Sequence, residues 1–438
     1  MPYTRVIIVG GGFGGLNAAK SLAKANVDVL LFDKTNHHVF QPLLYQVATA
    51  ALSPGNIAVP IREVVRFQEN TSVVMANALT VDKDQQQVLL SDGEVFNYDY
   101  LILAPGGSHS YFGHDDWEGN APGLKTVKDA LRIREKILLA FELAERCDSI
   151  SESAKYLRFV IIGGGPTGVE MSGAIAEICR KTMFKNFRKI KPEQSQIYLI
   201  EGMSQILPSY PPHLANIARR DLEKLGVKVF TGSIVTSVTA QGVYIGNKLI
   251  ESNTVIWAAG NQASPLLKTL DAPLDRQGRV IVEKDLSLAG YPDLFVIGDA
   301  ALVVDDKGAI LPGIAPVAIQ QARYVAQIIK KGIPKEKRQA FRYFDKGTMA
   351  TIGKAKAVAV VGKLQFSGFL AWLAWGLIHI LYLISFSNRL LVITQWFFWY
   401  LTGKRNVRVI SNPINEVKKE QPSPKKKETE KTEAEVKV

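Results

Sequence analysis

A chain of 438 residues with 47% apolar content can bury more than one core, which excludes a disordered protein and suggests two or three domains. The formal charge of +12 bears on solubility and partners rather than on the fold, and no nucleic-acid partner is expected. Cys147 and Cys179 form neither a C-x-x-C pair nor a metal-ligand spacing, so reduced thiols and no metal site are expected.

From Met1 the sequence runs straight into a strand, Val6 to Val9, with no apolar or Arg/Ser-rich leader, so export is not expected. A glycine turn follows, Gly10-Gly11-Gly12-Phe13-Gly14-Gly15, then a helix from Leu16 and a second strand, Val29 to Phe32, closing on Asp33. The spacing G-x-G-x-x-G falls on Gly10, Gly12 and Gly15. The first permits the tight turn, the second lets backbone approach a pyrophosphate, and the third lets helix pack on strand. A phosphate would sit on the helix N-terminus, and Asp33 would accept hydrogen bonds from an adenosine ribose. Phe13, Gly14 and Lys34 are further candidate contacts. The next stretch, Phe40 to Leu52, is too apolar and aromatic for an ordinary surface connection. It either lies under a ring-shaped ligand, with Thr49 as a contact, or forms a satellite patch of core. His37 and His38 read as surface or capping residues rather than metal ligands.

Alternating strands occupy Val73 to Leu103, ending in an apolar strand stopped by Ala104-Pro105-Gly106, where Ala104 and Gly106 are candidate contacts. A helix is predicted over Val127 to Arg146. The plan then repeats: strand Phe159 to Ile162, a second G-x-G-x-x-G on Gly163, Gly165 and Gly168, and a strand Ile197 to Ile200 closing on Glu201. Its late strand, Val255 to Gly260, echoes Leu101 to Gly106, with Pro166, Thr167, Ala259 and Gly260 as candidate contacts. Two copies imply two dinucleotides, stacked so that a hydride passes between them. Glu201 would accept from a ribose 2′-hydroxyl and repel a 2′-phosphate, so NADH is expected over NADPH. The second copy carries extra length, Arg180 to Lys191, in which basic residues alternate with Phe and Met. It is read as a solvated helix end, with contact to an anionic membrane as the alternative.

These features resemble the flavoproteins with two dinucleotide-binding domains, the first copy matching their FAD fingerprint and the second their NAD fingerprint. A strand ending in Gly298-Asp299 supports this, and the resemblance assigns flavin ribitol binding to Asp299. It also implies a discontinuous FAD domain with the NADH domain inserted. The redox cysteines of disulfide reductases and sulfide:quinone reductases have no counterpart near Phe40 to Leu52. Four stretches are similar to the type II NADH dehydrogenases, single-subunit NADH:quinone oxidoreductases that pump no protons: Phe40 to Pro54, Gly163 to Gly173, Ala315 to Ala326 and Phe341 to Val358. That resemblance implies FAD as cofactor, NADH as substrate and a membrane quinone as acceptor. It implies Glu170 near nicotinamide and flavin, Ala318 at the flavin, and Ala315, Pro316, Gln320 and Ile352 toward the quinone. Pro316 stands where many members have Gln and offers no donor, so Gln320 is the remaining polar candidate for catalysis, with Lys354 and Lys356 for proton delivery. The rival readings are a reductase with a protein acceptor, such as a ferredoxin or rubredoxin reductase, and a non-catalytic FAD-binding membrane protein.

The uncharged run Leu364 to Asn388 is long enough to span a bilayer, and Leu390 to Leu401 is dense in aromatics, with Lys404, Arg405 and Arg408 behind it. On a helix, Trp372, Trp375, His379, Tyr382 and Phe386 form one stripe, and Leu373, Leu377, Ile380 and Ile384 another. Two interfacial helices, touching the bilayer through Phe366 to Leu401, are expected. A spanning helix, a homodimer interface and a buried core helix stay open, and a homodimer is expected alongside membrane attachment. Burying about five large side chains at roughly 1.5–3 kcal/mol each gives about 10 kcal/mol before ordering costs, enough for monotopic attachment. The fold class is thus α/β: two Rossmann-like domains, FAD over 1–115 and 285–340 and NADH over 116–284, an anchoring helical region over 341–412, and a disordered charged tail over 413–438. The expected place is the cytoplasmic face of a bacterial-type inner membrane.

Overall fold

The computed structural model describes residues 4–405 and 407–411, so the tail expected over 413–438 lies outside the described residues. Strand β1 (Thr4–Val9) leads into helix α1 (Phe13–Ser21), which starts three residues earlier than the sequence suggests, because Gly14 and Gly15 are taken into its first turn. Strands β2 (Val27–Asp33), β3 (Thr71–Met75) and β4 (Tyr100–Leu103) follow, then the long helix α2 (Val127–Glu145), capped reciprocally by Thr126 and Asp129. The second unit is β5 (Arg158–Ile162), α3 (Pro166–Glu177), β6 (Gln196–Ile200), α4 (Pro212–Lys224), β7 (Val227–Phe230) and β8 (Thr254–Trp257). The chain then returns through β9 (Ser287–Leu288), β10 (Tyr291–Val296) and α5 (Ala315–Lys331). It ends in β11 (Thr348–Gly353), β12 (Lys356–Val361), β13 (Leu364–Gly368), α6 (Phe369–Tyr382) and α7 (Phe386–Thr402).

The first sheet has the order β9-β10-β4-β1-β2-β3 and the second the order β7-β6-β5-β8. Read from β3 and from β7, the two share one plan: the opening strand lies between the strand that ends in an acid and the late strand. All neighbours within β3-β2-β1-β4-β10 and within the second sheet are parallel, which is why their strands are apolar on both faces. Since β10 enters the first sheet after β8 has closed the second, the FAD-type fold is discontinuous. Gly107–His109 pairs antiparallel with Asn261–Ala263, so a short ribbon joins the chain just past β4 to the chain just past β8. It brings the carboxyl ends of the two sheets together.

The C-terminal region differs from its sequence reading. Leu364 to Gly368 is a strand paired antiparallel with Ala357 to Val361, so the uncharged run is not one helix. Leu383 is extended and breaks the remainder, leaving helices of 14 and 17 residues, and no helix among the described residues is long and apolar enough to cross a membrane. The stripes also divide between core and surface: of the aromatic one Trp375 is buried and Phe386 exposed, and of the aliphatic one Ile380 is buried while Leu373 and Leu377 are exposed. Trp375 is 1% exposed, stacks on His379 at 4.3 Å and on Trp396 of α7 at 5.4 Å, and joins the core. Leu370, Leu373, Leu377 and Leu381 face outward, as do Leu390, Ile393, Phe397, Phe398 and Leu401 of α7. The body of the protein gives both indoles a large area to bury, and gives the Trp396 N–H an acceptor in Gln46.

Candidate functional site

Each opening glycine is forced by its neighbours. Gly10 and Gly163 sit at φ +100 and +107, and a Cβ there would lie 2.2 Å from the Ala104 carbonyl oxygen and 2.6 Å from the Ala258 carbonyl carbon. A Cβ on Gly15 or Gly168 would stand 1.8 Å from the carbonyl oxygen of Gly10 or Gly163, so helix and turn touch at a distance only glycine allows. Gly12 and Gly165 instead cap α1 and α3 with extended backbones, no side-chain cap and nothing within 4 Å of a built Cβ. The first-turn N–H groups of both helices are therefore open to an anion. The acids lock the turns: Gly11 N donates to Asp33 Oδ2 at 2.6 Å and Gly164 N to Glu201 Oε2 at 2.5 Å. Thr35 and Met203 donate to the other carboxylate oxygens. Sequence spacing predicts ribose recognition for these acids; their work in tying β2 and β6 to the glycine turns appears only in three dimensions.

Asp299 lies on a turn at the end of β10. Its carboxylate stands 3.9 Å from Lys125 Nζ and lines a cavity of about 370 Å³ with Gly107, Gly260, Gly298, Gly313 and Gln321. Gln321, buried on α5, accepts from Gly298 N at 2.7 Å and holds that turn. Gln320 points elsewhere, its amide donating to Phe344 O and accepting from Phe344 N, both at 2.9 Å. Each of its polar atoms makes one bond to the Phe344 backbone, which anchors the side chain and leaves one N–H and one lone pair. Ile352 is fully buried, its carbonyl facing Gly173 of α3; its neighbour Thr351 is the residue that reaches the polar centre. Lys356 pairs with Asp221 at 2.7 Å, and Lys354 Nζ donates to Tyr400 O, so each ammonium is tied to a partner.

That centre is built from the stretches the sequence singled out. Phe40 to Leu52 is core, joining α2 and α3. Within it, Trp396 Nε1 donates to Gln46 Oε1 at 2.7 Å, Gln46 Nε2 donates to the Tyr45 hydroxyl at 3.0 Å, and Tyr45 lies 3.2 Å from Thr351 Oγ1. An indole can only donate, so Gln46 must accept through Oε1 and present its amide nitrogen to Tyr45, and donation from Tyr45 to Thr351 then satisfies the phenol's own proton. The Thr351 hydroxyl proton is left for the slot it lines with Glu170, Trp372, Trp375 and Tyr400. The buried Trp375 N–H, without a protein acceptor among the described residues, lines the same slot. Glu170 Oε1 accepts from Thr351 N at 3.5 Å, and burial pushes its pKa up to about 8, against the lowering effect of that hydrogen bond. It holds its proton at neutral pH. Behind the slot Arg405, 1% exposed, donates to Thr49 O at 2.6 Å and to Glu177 Oε2 at 3.2 Å, with its guanidinium 4.7 Å over Trp399. Sequence reading set Arg405 among charges behind a surface helix; it is a buried cation paired across the fold.

Residues 4–322 match the pyridine nucleotide-disulphide oxidoreductase family and residues 346–405 the NDH2 C-terminal domain. Two proteins of Mycobacterium tuberculosis, the type II NADH:quinone oxidoreductases NdhA and Ndh, are 43% and 44% identical, over 94% and 93% of this chain and 90% of each relative. The chain belongs to the type II NADH:quinone oxidoreductases. The structure of NDH2 from Plasmodium falciparum in complex with NADH shares the fold, with a TM-score of 0.83 at 21% identity over 92% of this chain and 99% of that one. A sulfide:quinone oxidoreductase from Aquifex aeolicus shares it more loosely, at a TM-score of 0.69 and 17% identity over 95% and 94% of the two chains.

The residues present fit what a type II NADH:quinone oxidoreductase requires of a first dinucleotide. The open α1 N-terminus suits a pyrophosphate, and Asp299 borders a cavity large enough for part of a flavin nucleotide. Ala104 and Ala318 are buried beside the turns at Gly10 and Gly298, while Lys34 is exposed. Thr49 is buried, with its hydroxyl and its N–H both on Tyr45 O and its own carbonyl accepting from Arg405. His38, read as a surface residue, is buried: its Nδ1 donates to Gly11 O at 3.1 Å and its ring meets Phe13 edge-on at 4.9 Å. Burial lowers its pKa, so a neutral imidazole supports the glycine turn from behind. Cys179 is buried, its thiol pushed up to about 12, as expected of a small apolar residue.

Proposed function

We propose that this protein oxidises NADH and reduces a membrane quinone through FAD, without pumping protons. The observation that carries the reading is the doubled glycine unit, joined at its carboxyl ends, in a chain 43–44% identical to two type II NADH:quinone oxidoreductases almost throughout. When bound, FAD supplies a ring system that accepts a hydride and gives up two electrons to a quinone. The residues of this chain do the rest. Gly10, Gly12, Phe13, Gly14 and Gly15 offer the α1 N-terminus to its pyrophosphate, Asp33 its adenosine ribose an acceptor, and Asp299, Thr49, Ala104, Gly106 and Ala318 border the flavin half. Gly163, Gly165, Pro166, Thr167 and Gly168 do the same for NADH with Glu201, and Ala259 and Gly260 border its nicotinamide end. Glu170, protonated near neutral pH, adds no charge beside the reacting rings. Thr351 and Trp375 are the donors available to a quinone oxygen in the slot.

The division into FAD (1–115, 285–340), NADH (116–284) and anchoring (341–412) regions belongs to the same reading. The outward leucines of α6 and the outward apolar face of α7 are its lipid contact, on the side of the membrane where NADH is dissolved, the cytoplasmic face of a bacterial-type inner membrane. A homodimer through that face would compete with the bilayer for it. A soluble protein acceptor leaves the outward leucines without a use. The test is anaerobic: NADH is added to the purified flavoprotein, flavin absorbance followed, and a short-chain quinone then added. Bleaching followed by rapid recovery is expected. Bleaching without recovery would sink the quinone half of the reading.

A further inference from the structure

The second dinucleotide unit carries a segment the reaction does not use, Arg180 to Lys191, with six basic residues and no acidic one. After α3 the chain passes through a π-helical turn, Ile178–Thr182, and doubles back as a fixed loop. The Glu145 carboxylate at the end of α2 accepts from the backbone N–H of Arg188 at 2.8 Å and of Lys189 and Ile190 at 3.0 Å. Met183 and Ile190 are buried, so the loop is rooted in the core. Its outer side is Lys181, Phe184, Lys185, Arg188 and Lys189, all exposed, with Phe184 half out of the protein and the Lys185 ammonium 5.4 Å from its ring. Lys185 adopts φ +59, a left-handed backbone that non-glycine residues rarely take. The loop abuts the end of α7: Thr182 Oγ1 donates to Gly403 O at 3.4 Å and Arg408 reaches Thr182 O at 3.5 Å. There Leu401 is exposed and Lys404 follows.

We propose that this loop is a second membrane contact, in which Phe184 enters the interface and Lys181, Lys185, Arg188 and Lys189 pair with anionic lipid headgroups beside the apolar face of α7. The proposal rests on the lipid contact assigned above to α6 and α7 and adds the charge term which that face lacks: the outward residues of α6 are apolar and uncharged, and a bilayer with anionic headgroups presents acyl chains and phosphates side by side. Long basic side chains lie along apolar surface while their charges reach the headgroup plane, and an aromatic ring favours that depth. A basic surface continuous with an apolar one, held rigid by buried contacts and carrying one exposed ion pair, Lys189 with Asp148 at 3.7 Å, is complementary to that boundary.

The test is sedimentation of the full-chain flavoprotein with phosphatidylcholine vesicles, with and without phosphatidylglycerol, for the natural sequence, a Lys181→Gln/Lys185→Gln variant and Phe184→Ser. The natural protein is expected to bind both vesicle types and the anionic one more tightly. The double variant should lose roughly 25-fold in affinity for anionic vesicles, about fivefold per charge, and nothing on neutral ones. Phe184→Ser should weaken binding to both. Turnover with a water-soluble quinone should be unchanged in either variant. Failure of the natural protein to bind either vesicle type would overturn the lipid contact of α6 and α7 itself. If it binds but the double variant retains full preference for anionic vesicles, the preference comes from elsewhere in the chain and the loop proposal falls. It falls also if the variant binds vesicles normally and loses a dimer, since the loop would then face a second copy.

Discussion

Thr351 ends a hydrogen-bond chain that begins at the indole of Trp396. Because Gln46 has one arrangement that satisfies its neighbours and Tyr45 then donates to Thr351, Thr351→Val would leave the buried Tyr45 hydroxyl without an acceptor. The expected cost is about 1–3 kcal/mol in urea unfolding, and Thr351→Ser should recover most of it. Glu170 gives a prediction with a sign. Its pKa of about 8 in the folded protein lies above the ordinary 4.5, so between those values the folded protein keeps a proton that the unfolded chain releases. Stability must therefore fall as pH rises through that window. Glu170→Gln has no such proton, so its melting temperature relative to the natural protein should climb across the same pH range and level off below it. A difference independent of pH would show that Glu170 ionises normally in its slot.

At the scale of elements, α6 and α7 are held to the body by aromatic stacking and by one buried ion pair. Arg405 follows α7 and Glu177 ends α3, and the Glu177 carboxylate also accepts from Lys354 N at 2.6 Å. Arg405→Met would strand that carboxylate in the core, at an expected cost of about 3–5 kcal/mol in urea melts, and Arg405→Met with Glu177→Gln should recover much of the loss. This pair also shows where sequence reading stops. The glycine turns, their acids and the repeat were legible because each is a local pattern whose geometry follows from residue type and spacing. A buried arginine whose partner is 228 positions away leaves no such mark. Nor does the strand Leu364–Gly368, since a run without charges hides its period, or the inward turn of the tryptophans, since a stripe says which residues share a face and not what that face meets. The polar centre was half legible: Phe40 to Leu52 and Phe341 to Val358 stood out, but Tyr45 and Thr351 meet across 306 positions and Gln46 and Trp396 across 350.

For the whole molecule, two units of the same plan work as one site only if their carboxyl ends stay in register, and the ribbon of Gly107–His109 on Asn261–Ala263 spans that junction. Gly107 lies against the partner strand so closely that a Cβ would stand 2.7 Å from the Gln262 carbonyl oxygen. Gly107→Val cannot relieve this by moving a side chain, because the obstacle is backbone, so the ribbon must open and the two units shift relative to one another. Neither glycine turn is touched, and both acids keep their hydrogen bonds. Gly107 also lines the cavity assigned to the flavin, so the variant should lose some flavin, and in the fraction that keeps it transfer between the two ligands should suffer, since a misplacement of about 1 Å in a reacting pair costs on the order of a hundredfold in rate. Stopped-flow flavin reduction by NADH separates the two effects. A reduction rate lowered at least about tenfold at saturating NADH, taken per bound flavin, assigns the ribbon to alignment of the two sites. An unchanged rate would mean that the units are aligned by the core they share around Phe40 to Leu52, and the ribbon is a surface embellishment.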